Sequence, residues 1–363
     1  MAKQFLKGMD ISFWDEIVSE GGAFYEDGRE KDLLEILRDG GVNAIRLRLW
    51  NEPEAGYVNL ERTKGIARKI KAAGMHFLLD FHYSDYWADP QKQTKPKAWA
   101  GLAFPDLVKA VGMYTERVLT SLREQGTLPD MVQIGNEITP GMLWEEGKVG
   151  VPADVGTAQE RWIGEERFDT EEQWMRLAEL AKAGIEGARR AAEGVRDFEI
   201  MIHLDRGGDN GASRYFLDKL LARGVEFDVI GQSFYPWWHG TLRQLEDNLR
   251  DLAVRYGKDI VVVETAYPWT LAPEGDLAFI VSSEDQLHEG YPATVEGQRR
   301  YLEDFMAVIR RTPNGKGRGF HYWEPAWIPS KEQWSVGHPN NWSNMTLFDF
   351  RGNKLASLDA CRS

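Results

Sequence analysis

Glu137, in Met-Val-Gln-Ile-Gly-Asn-Glu, and Glu264, in Ile-Val-Val-Val-Glu-Thr-Ala-Tyr-Pro, each follow a run of apolar, strand-like residues. A carboxylate in that position has no solubility role, because burying a charge is costly unless it is paired, hydrogen-bonded or used. Two such sites in one chain suggest shared chemistry, and two carboxyl groups facing one bond are what glycoside cleavage needs. One, protonated, donates to the leaving oxygen; the other, ionised, attacks from the opposite face, with the carboxyl groups about 5 to 5.5 Å apart in a retaining enzyme. Glu137 is the candidate acid/base and Glu264 the candidate nucleophile. Asn136 adjoins Glu137 and offers an amide to a sugar 2-hydroxyl, a contact that strengthens in the transition state. Arg46, inward on a strand in Ile-Arg-Leu-Arg-Leu, is the expected charged neighbour of Glu264, holding its pKa low while Glu137 keeps a proton.

A strand-end glutamate can also be an ion-pair partner or sit beside a helix cap, and either residue alone is a weak signal. The pair together with Asn136 favours catalysis. Glu52, in Trp-Asn-Glu-Pro, repeats the Asn-Glu dipeptide but lies beyond a strand end with Pro53 behind it, so it reads as a loop residue. Glu324, in Tyr-Trp-Glu-Pro, is a reserve candidate, with a hydrogen-bonded supporting role favoured over catalysis. His82 with Tyr83, Asp205, and Tyr235 with His239 all follow strands and face the same rim, as sugar contacts or support. The seven histidines show no H-x-H or H-E-x-x-H spacing, so no metal site is expected. The loop from Arg206 to Ser213 resembles an anion cradle but is explained more simply as a turn with Ser213 as helix N-cap.

The elements that must position these groups recur along the whole chain. Strand-like runs cover Phe5 to Ser12, Ala44 to Trp50, His76 to Tyr83, Met131 to Ile138, Glu199 to Asp205, Val229 to Tyr235, Ile260 to Tyr267 and Gly319 to Trp327. Helical patterns fall between them, at Glu30 to Asp39, Asn59 to Ala73, Phe104 to Gln125, Glu171 to Glu193, Ser213 to Arg223, Thr241 to Tyr256 and Val295 to Arg311, several ending at glycine. Eight alternating units, without G-x-G-x-x-G or a Walker motif, predict a closed (β/α)8 TIM barrel rather than an open doubly wound sheet. The segments leaving the strands, 84–103, 139–170, 268–294 and 328–346, are long, and those returning are short. This loads the C-terminal rim, where barrel active sites lie. Glu137 ends the fourth strand and Glu264 the seventh, across the mouth from each other. One catalytic domain over residues 1–363 accounts for every segment.

Composition narrows the partners. The chain has 363 residues and a net charge of -13, which repels nucleic acid and anionic membrane surfaces. No apolar run approaches the roughly 20 residues that span a bilayer. Cys361 is the one cysteine, which excludes an internal disulfide and a thiolate zinc cluster. The start lacks a secretory apolar region, so the chain is expected to be cytoplasmic or already processed. The 14 Trp, 12 Tyr and 16 Phe are a surplus, and many tryptophans stand in polar surroundings: Trp87, Trp99, Trp237, Trp238, Trp323, Trp327, Trp334 and Trp342. Half of them serve as anchors on this reading, and the rest line a cleft for the flat apolar faces of sugar rings.

The segments Lys-Gly-Met-Asp-Ile-Ser, Asn-Ala-Ile-Arg-Leu-Arg, Asp-Phe-His-Tyr-Ser-Asp-Tyr-Trp-Ala-Asp-Pro, Gln-Ile-Gly-Asn-Glu-Ile-Thr-Pro-Gly-Met-Leu-Trp, Gly-Gln-Ser-Phe-Tyr-Pro-Trp-Trp-His-Gly, Val-Glu-Thr-Ala-Tyr-Pro and Tyr-Trp-Glu-Pro-Ala-Trp-Ile-Pro occur in an order that resembles glycoside hydrolase family 53, the arabinogalactan endo-β-1,4-galactanases. The likeness runs from Gly8 to about Asp349. It implies a retaining barrel enzyme that cuts β-1,4-galactan, with Glu137 as acid/base, Glu264 as nucleophile and Trp323 as an aromatic platform. Some members carry calcium in the loop after the seventh strand, held by closely spaced ligands. Here that loop brings only Glu274 and Asp276 together before an apolar run, whereas calcium needs six to eight oxygens. No cofactor is therefore expected, the partner is a polysaccharide, and the chain is expected to act as a monomer. A β-mannanase or β-glucanase on the same barrel is the nearest alternative, since the fold does not choose the sugar. A non-catalytic carbohydrate-binding barrel is a further one.

Overall fold

Strands buried on both faces need a sheet covered by helices, and the near-continuous apolar runs meet that condition. The computed structural model describes residues 3–152, 154–156, 165–195, 198–330, 334–335 and 338–363. Eight parallel strands close into a barrel: β1 (Leu6–Asp10), β2 (Ala44–Leu49), β3 (His76–Phe81), β4 (Met131–Ile134), β5 (Glu199–Leu204), β6 (Val229–Ser233), β7 (Asp259–Glu264) and β8 (Gly317–Trp323). Each pairs with the next, and β8 closes on β1 with Leu6 opposite Gly319. Every expected strand is present. All eight end earlier than the expected run does.

The outer helices begin where the sequence offers caps. Asn59, Thr170, Thr241 and Thr294 accept backbone amides at the starts of Leu60–Ala72, Glu171–Ala192, Leu242–Tyr256 and Val295–Arg310. Gly257, at φ 62°, ends the third of these in the left-handed conformation that glycine adopts without strain. Ser213 is not an N-cap. The helix starts at Asn210, Asp209 accepts the Ala212 amide at 3.0 Å, and the Ser213 hydroxyl inside the first turn donates to the Arg206 carbonyl. Asp209, three residues before Ala212, reaches the free amides first. The sequence pattern also passes over a short helix, Trp14–Ser19, and a hairpin, Tyr25–Glu26 with Arg29–Glu30. Among the described residues no helix is long and apolar enough to cross a membrane.

Inside the barrel, side chains two residues apart on a strand stack in layers. Leu6, Ala44, Leu78, Met131, Met201, Val229, Val261 and Val263 form an apolar floor. Two residues further along β2 to β5 come Arg46, Asp80, Gln133 and His203, all buried. Gly8 occupies the matching place on β1, where an added Cβ would lie 2.3 Å from the His321 ring. The interior thus turns from apolar to polar one layer below the mouth.

Candidate active site

Glu137 is brought inward by a turn rather than by strand alternation. After β4 the chain takes left-handed φ values at Gly135 (79°) and Glu137 (48°), a conformation uncommon outside glycine. The turn is held by two bonds to β5: the Glu137 amide donates to His203 Nδ1 at 3.3 Å, and the Ile138 amide to the His203 carbonyl at 3.0 Å. Asn136 and Glu137, adjacent in sequence, therefore both reach the barrel mouth. Glu264 arrives by a different irregularity. The β6–β7 ladder slips between Gln232 and Ser233, so Ser233 faces Glu264 and Val263 is the extra residue. Such a bulge re-aims a side chain: Val263 packs in the floor while Glu264 enters the polar layer above it.

One carboxylate oxygen of Glu137 and one of Glu264 lie within 4.8 Å of each other. That closeness suits a retaining pair better than an inverting pair, whose carboxyl groups stand roughly 6.5 to 9.5 Å apart to hold a water between them. Glu264 is held at both oxygens, by Arg46 Nη1 (2.9 Å) and by the Tyr235 hydroxyl (3.0 Å). Arg46 also donates to Asp10, Asp80 and Asn136 Oδ1 at 2.8 to 2.9 Å. Glu137 accepts from Ser233 at 2.6 Å.

Burial, followed by the charges of Glu264 and Asp205, holds the Glu137 carboxyl well above the ordinary glutamate range. For Glu264 burial again comes first and lifts the carboxyl to about 7, against Arg46 and the Tyr235 hydroxyl. The expectation that Arg46 keeps Glu264 low is therefore corrected. One guanidinium is divided among three carboxylates, and Asp10 and Asp80 push back on Glu264.

Arg46 is only 1% exposed with both terminal nitrogens taken, so it lies beneath the site and supports Glu264 and Asn136 from below. His82 is likewise a support. Its Nδ1 accepts from Trp50 Nε1 and the Ala88 amide, and Nε2 meets Asp80 at 3.1 Å. His239 Nδ1 accepts the Tyr235 amide at 2.9 Å, which anchors the loop carrying Tyr235. Asn136 spends one Nδ2 proton on the Ala88 carbonyl (2.8 Å) and keeps the other. Asp205 is buried, with Oδ2 near Arg206 at 3.3 Å. Glu324 is also buried and is bonded to Arg48 Nη1 (2.6 Å) and the Phe13 amide, in the supporting position.

The aromatic rim is continuous. Trp87 packs on Trp323 (5.8 Å between centroids), Trp323 on Trp342 (4.7 Å), Trp342 on Tyr235 (5.6 Å), and Tyr235 on Trp238 (5.4 Å). Trp238, 43% exposed, stands at its outer end. Among the described residues the buried indole nitrogen of Trp237 has no hydrogen-bond partner, as suits a donor reserved for a hydroxyl. Trp99 instead packs on Tyr83 and Tyr114 as an anchor. The side chain of Trp334 lies outside the described residues.

His203 also comes within 4.8 Å of the two glutamates, counting one oxygen or nitrogen from each. A metal would need a free ring nitrogen, and both are occupied: Nδ1 by the Glu137 amide and Nε2 by Ser233. In the loop after β7, Glu274 pairs with Arg351 at 3.5 Å. Asp10, Asp80, Gln133, His203 and Ser233 are site residues that sequence reasoning passes over. Their one visible signal is a polar residue near the C-terminal end of a mostly apolar strand.

A closed parallel barrel with two buried, closely opposed carboxyl groups beneath an aromatic rim defines the glycoside-hydrolase class. The family model for glycosyl hydrolase family 53 matches residues 6–361. The chain is 31% identical to the endo-beta-1,4-galactanase of Bacillus subtilis, over 99% of this chain and 85% of that protein. It is 33% identical to the arabinogalactan endo-beta-1,4-galactanase of Cellvibrio japonicus, over 95% and 86% of the two chains. The family 53 catalytic domain of Ignisphaera aggregans superposes with a TM-score of 0.88 at 40% identity, covering 99% of this chain and 96% of that one. This chain belongs to glycosyl hydrolase family 53.

Proposed function

We propose that the chain is a retaining endo-β-1,4-galactanase in which Glu137 is the acid/base and Glu264 the nucleophile. The observation that carries the mechanism is the short separation of the two carboxyl groups; the galactan assignment is supported by the relatives' activities. A Glu264 oxygen attacks the anomeric carbon while Glu137 gives its proton to the departing glycosidic oxygen. The resulting galactosyl ester on Glu264 is then cleaved by water, whose proton Glu137 takes. Arg46 and Tyr235 orient the Glu264 carboxylate, and the half-buried Trp323 offers a ring face to the sugar.

Time-resolved product analysis on linear β-1,4-galactan tests this reading. Mixed oligosaccharides of retained β configuration should appear early. Release from mannan or glucan and not from galactan would move the assignment to those sugars.

The residue chemistry requires no metal, so exhaustive chelation is expected to leave the rate on galactan unchanged. A loss of activity restored by one divalent cation would contradict it. The pH profile of kcat/KM should be bell-shaped. The rate falls as pH drops and Glu264 gains a proton, and falls again as pH rises and Glu137 loses one. Burial raises both groups, so the acidic limb is expected above the ordinary glutamate pKa of about 4.3, as a property of the coupled pair. An acidic limb at or below that value would show that Arg46 outweighs burial after all.

A further inference from the structure

Ser233 and His203 link the two ends of Glu137. His203 Nδ1 is faced by two donors, the Glu137 amide at 3.3 Å and Gln133 Nε2 at 3.1 Å, and by one acceptor, Asn136 Oδ1 at 3.0 Å, which already takes a proton from Arg46; two donors against one engaged acceptor put the ring proton on Nε2. Nε2 lies 2.8 Å from Ser233 Oγ, and the Ser233 hydroxyl donates to Glu137 Oε1 at 2.6 Å. The bonds form a closed circuit from the backbone of Glu137 to its own carboxyl group. All three residues are buried, with His203 and Ser233 at 0% exposure. Because Ser233 Oγ accepts from His203, its own proton is directed at Glu137 rather than free to turn away.

We infer that this circuit reserves Oε1 of Glu137 as a permanent acceptor, so that the catalytic proton is carried on Oε2, and that it eases formation of the carboxylate. The inference rests on the acid/base role proposed for Glu137. No proton passes along the circuit. When Glu137 is protonated, Oε1 is the carbonyl oxygen and accepts from Ser233; when it is ionised, the same bond becomes charge-assisted and stronger. No partner has to reorganise as Glu137 changes from acid to base, which suits a residue that must do both within one turnover. Ser233 and His203 are thus positioning residues. The bond from Ser233 is the main one opposing the groups that disfavour ionisation of Glu137: Glu264 from β7, Asp205 after β5 and Asp89 in the loop after β3. Burial, followed by the charges of Arg46, His82 and His239, favours the neutral ring of His203.

The test is Ser233→Ala, read by the alkaline limb of kcat/KM on galactan. A parallel carbon-13 titration of labelled glutamate carboxyl groups uses Glu137→Gln to assign the signal. The limb and the carboxyl titration are expected to move up together by about one to two pH units, and Ser233→Thr, which keeps the hydroxyl, to move them back. His203→Gln preserves an N–H donor towards Ser233 and should titrate near wild type, whereas His203→Met should shift as Ser233→Ala does. This histidine pair decides the matter if the alanine variant does not fold. An unmoved titration in Ser233→Ala or His203→Met, with activity lowered equally at every pH, would overturn the inference. Wild type inactive on galactan would instead refute the function proposed, leaving the carboxyl titration to judge the circuit.

Discussion

Glu264→Gln is expected to lower turnover of β-1,4-galactan on the order of 10⁵-fold, because the amide cannot form the glycosyl ester through which the reaction runs. The variant should fold. Glutamine can still accept from Arg46 and meet the Tyr235 hydroxyl in place of the two bonds made by the carboxylate. Arg46 keeps Asp10 and Asp80 as counter-charges. Reducing-sugar release measured beside circular dichroism separates lost chemistry from lost structure. Intact mass analysis of wild type with a slow, activated galactoside should show a galactosyl adduct on the peptide containing Glu264. A variant retaining a tenth of wild-type turnover would remove Glu264 from the nucleophile's role.

Glu137→Gln is expected to cost about 10² to 10⁴-fold on galactan, the range that general acid catalysis supplies. The loss should depend on the leaving group. Galactan departs as an alkoxide that needs a proton, whereas an aryl glycoside with an acidic phenol does not. With such a substrate the first step survives and the second, which lacks its base, becomes limiting. Added azide should then raise the rate by attacking the ester without help from a base, yielding a β-glycosyl azide. The same variant should melt at or above the wild-type temperature, since it removes a buried carboxyl whose ionised form is disfavoured by burial and by Glu264 and Asp205, with only the Ser233 bond opposing them. Equal losses on both substrates, with no response to azide, would argue that Glu137 binds or positions rather than transfers protons.

These two residues are legible in the sequence because each ends an apolar run, and a charge there demands a reason. The eight strands, the capped helices and the long loops on one rim are legible for a related cause: local periodicity and turn chemistry act over a few residues. Arg46 and His82 read as polar groups at the strand positions that serve the site, but not as fully engaged ones, since that depends on Asp10, Asp80, Trp50 and Asn136 arriving from other strands. Ser213 shows the same limit in miniature, where Asp209 reaches the helix amides first.

Local patterns in the chain thus suffice for the barrel, the two carboxylates at opposed strand ends and the surplus of aromatic side chains at the rim. The rest comes from long-range closure. The register slip opposite Ser233 turns Glu264 inward, the left-handed turn brings Glu137 beside Asn136, and closure of β5 and β6 against β4 and β7 joins His203 and Ser233 to Glu137. Alternation along a strand tells which face a side chain takes. It carries no information about which residues, scores of positions apart, meet at the same height across a closed barrel, and that meeting sets the ionisation of the two glutamates.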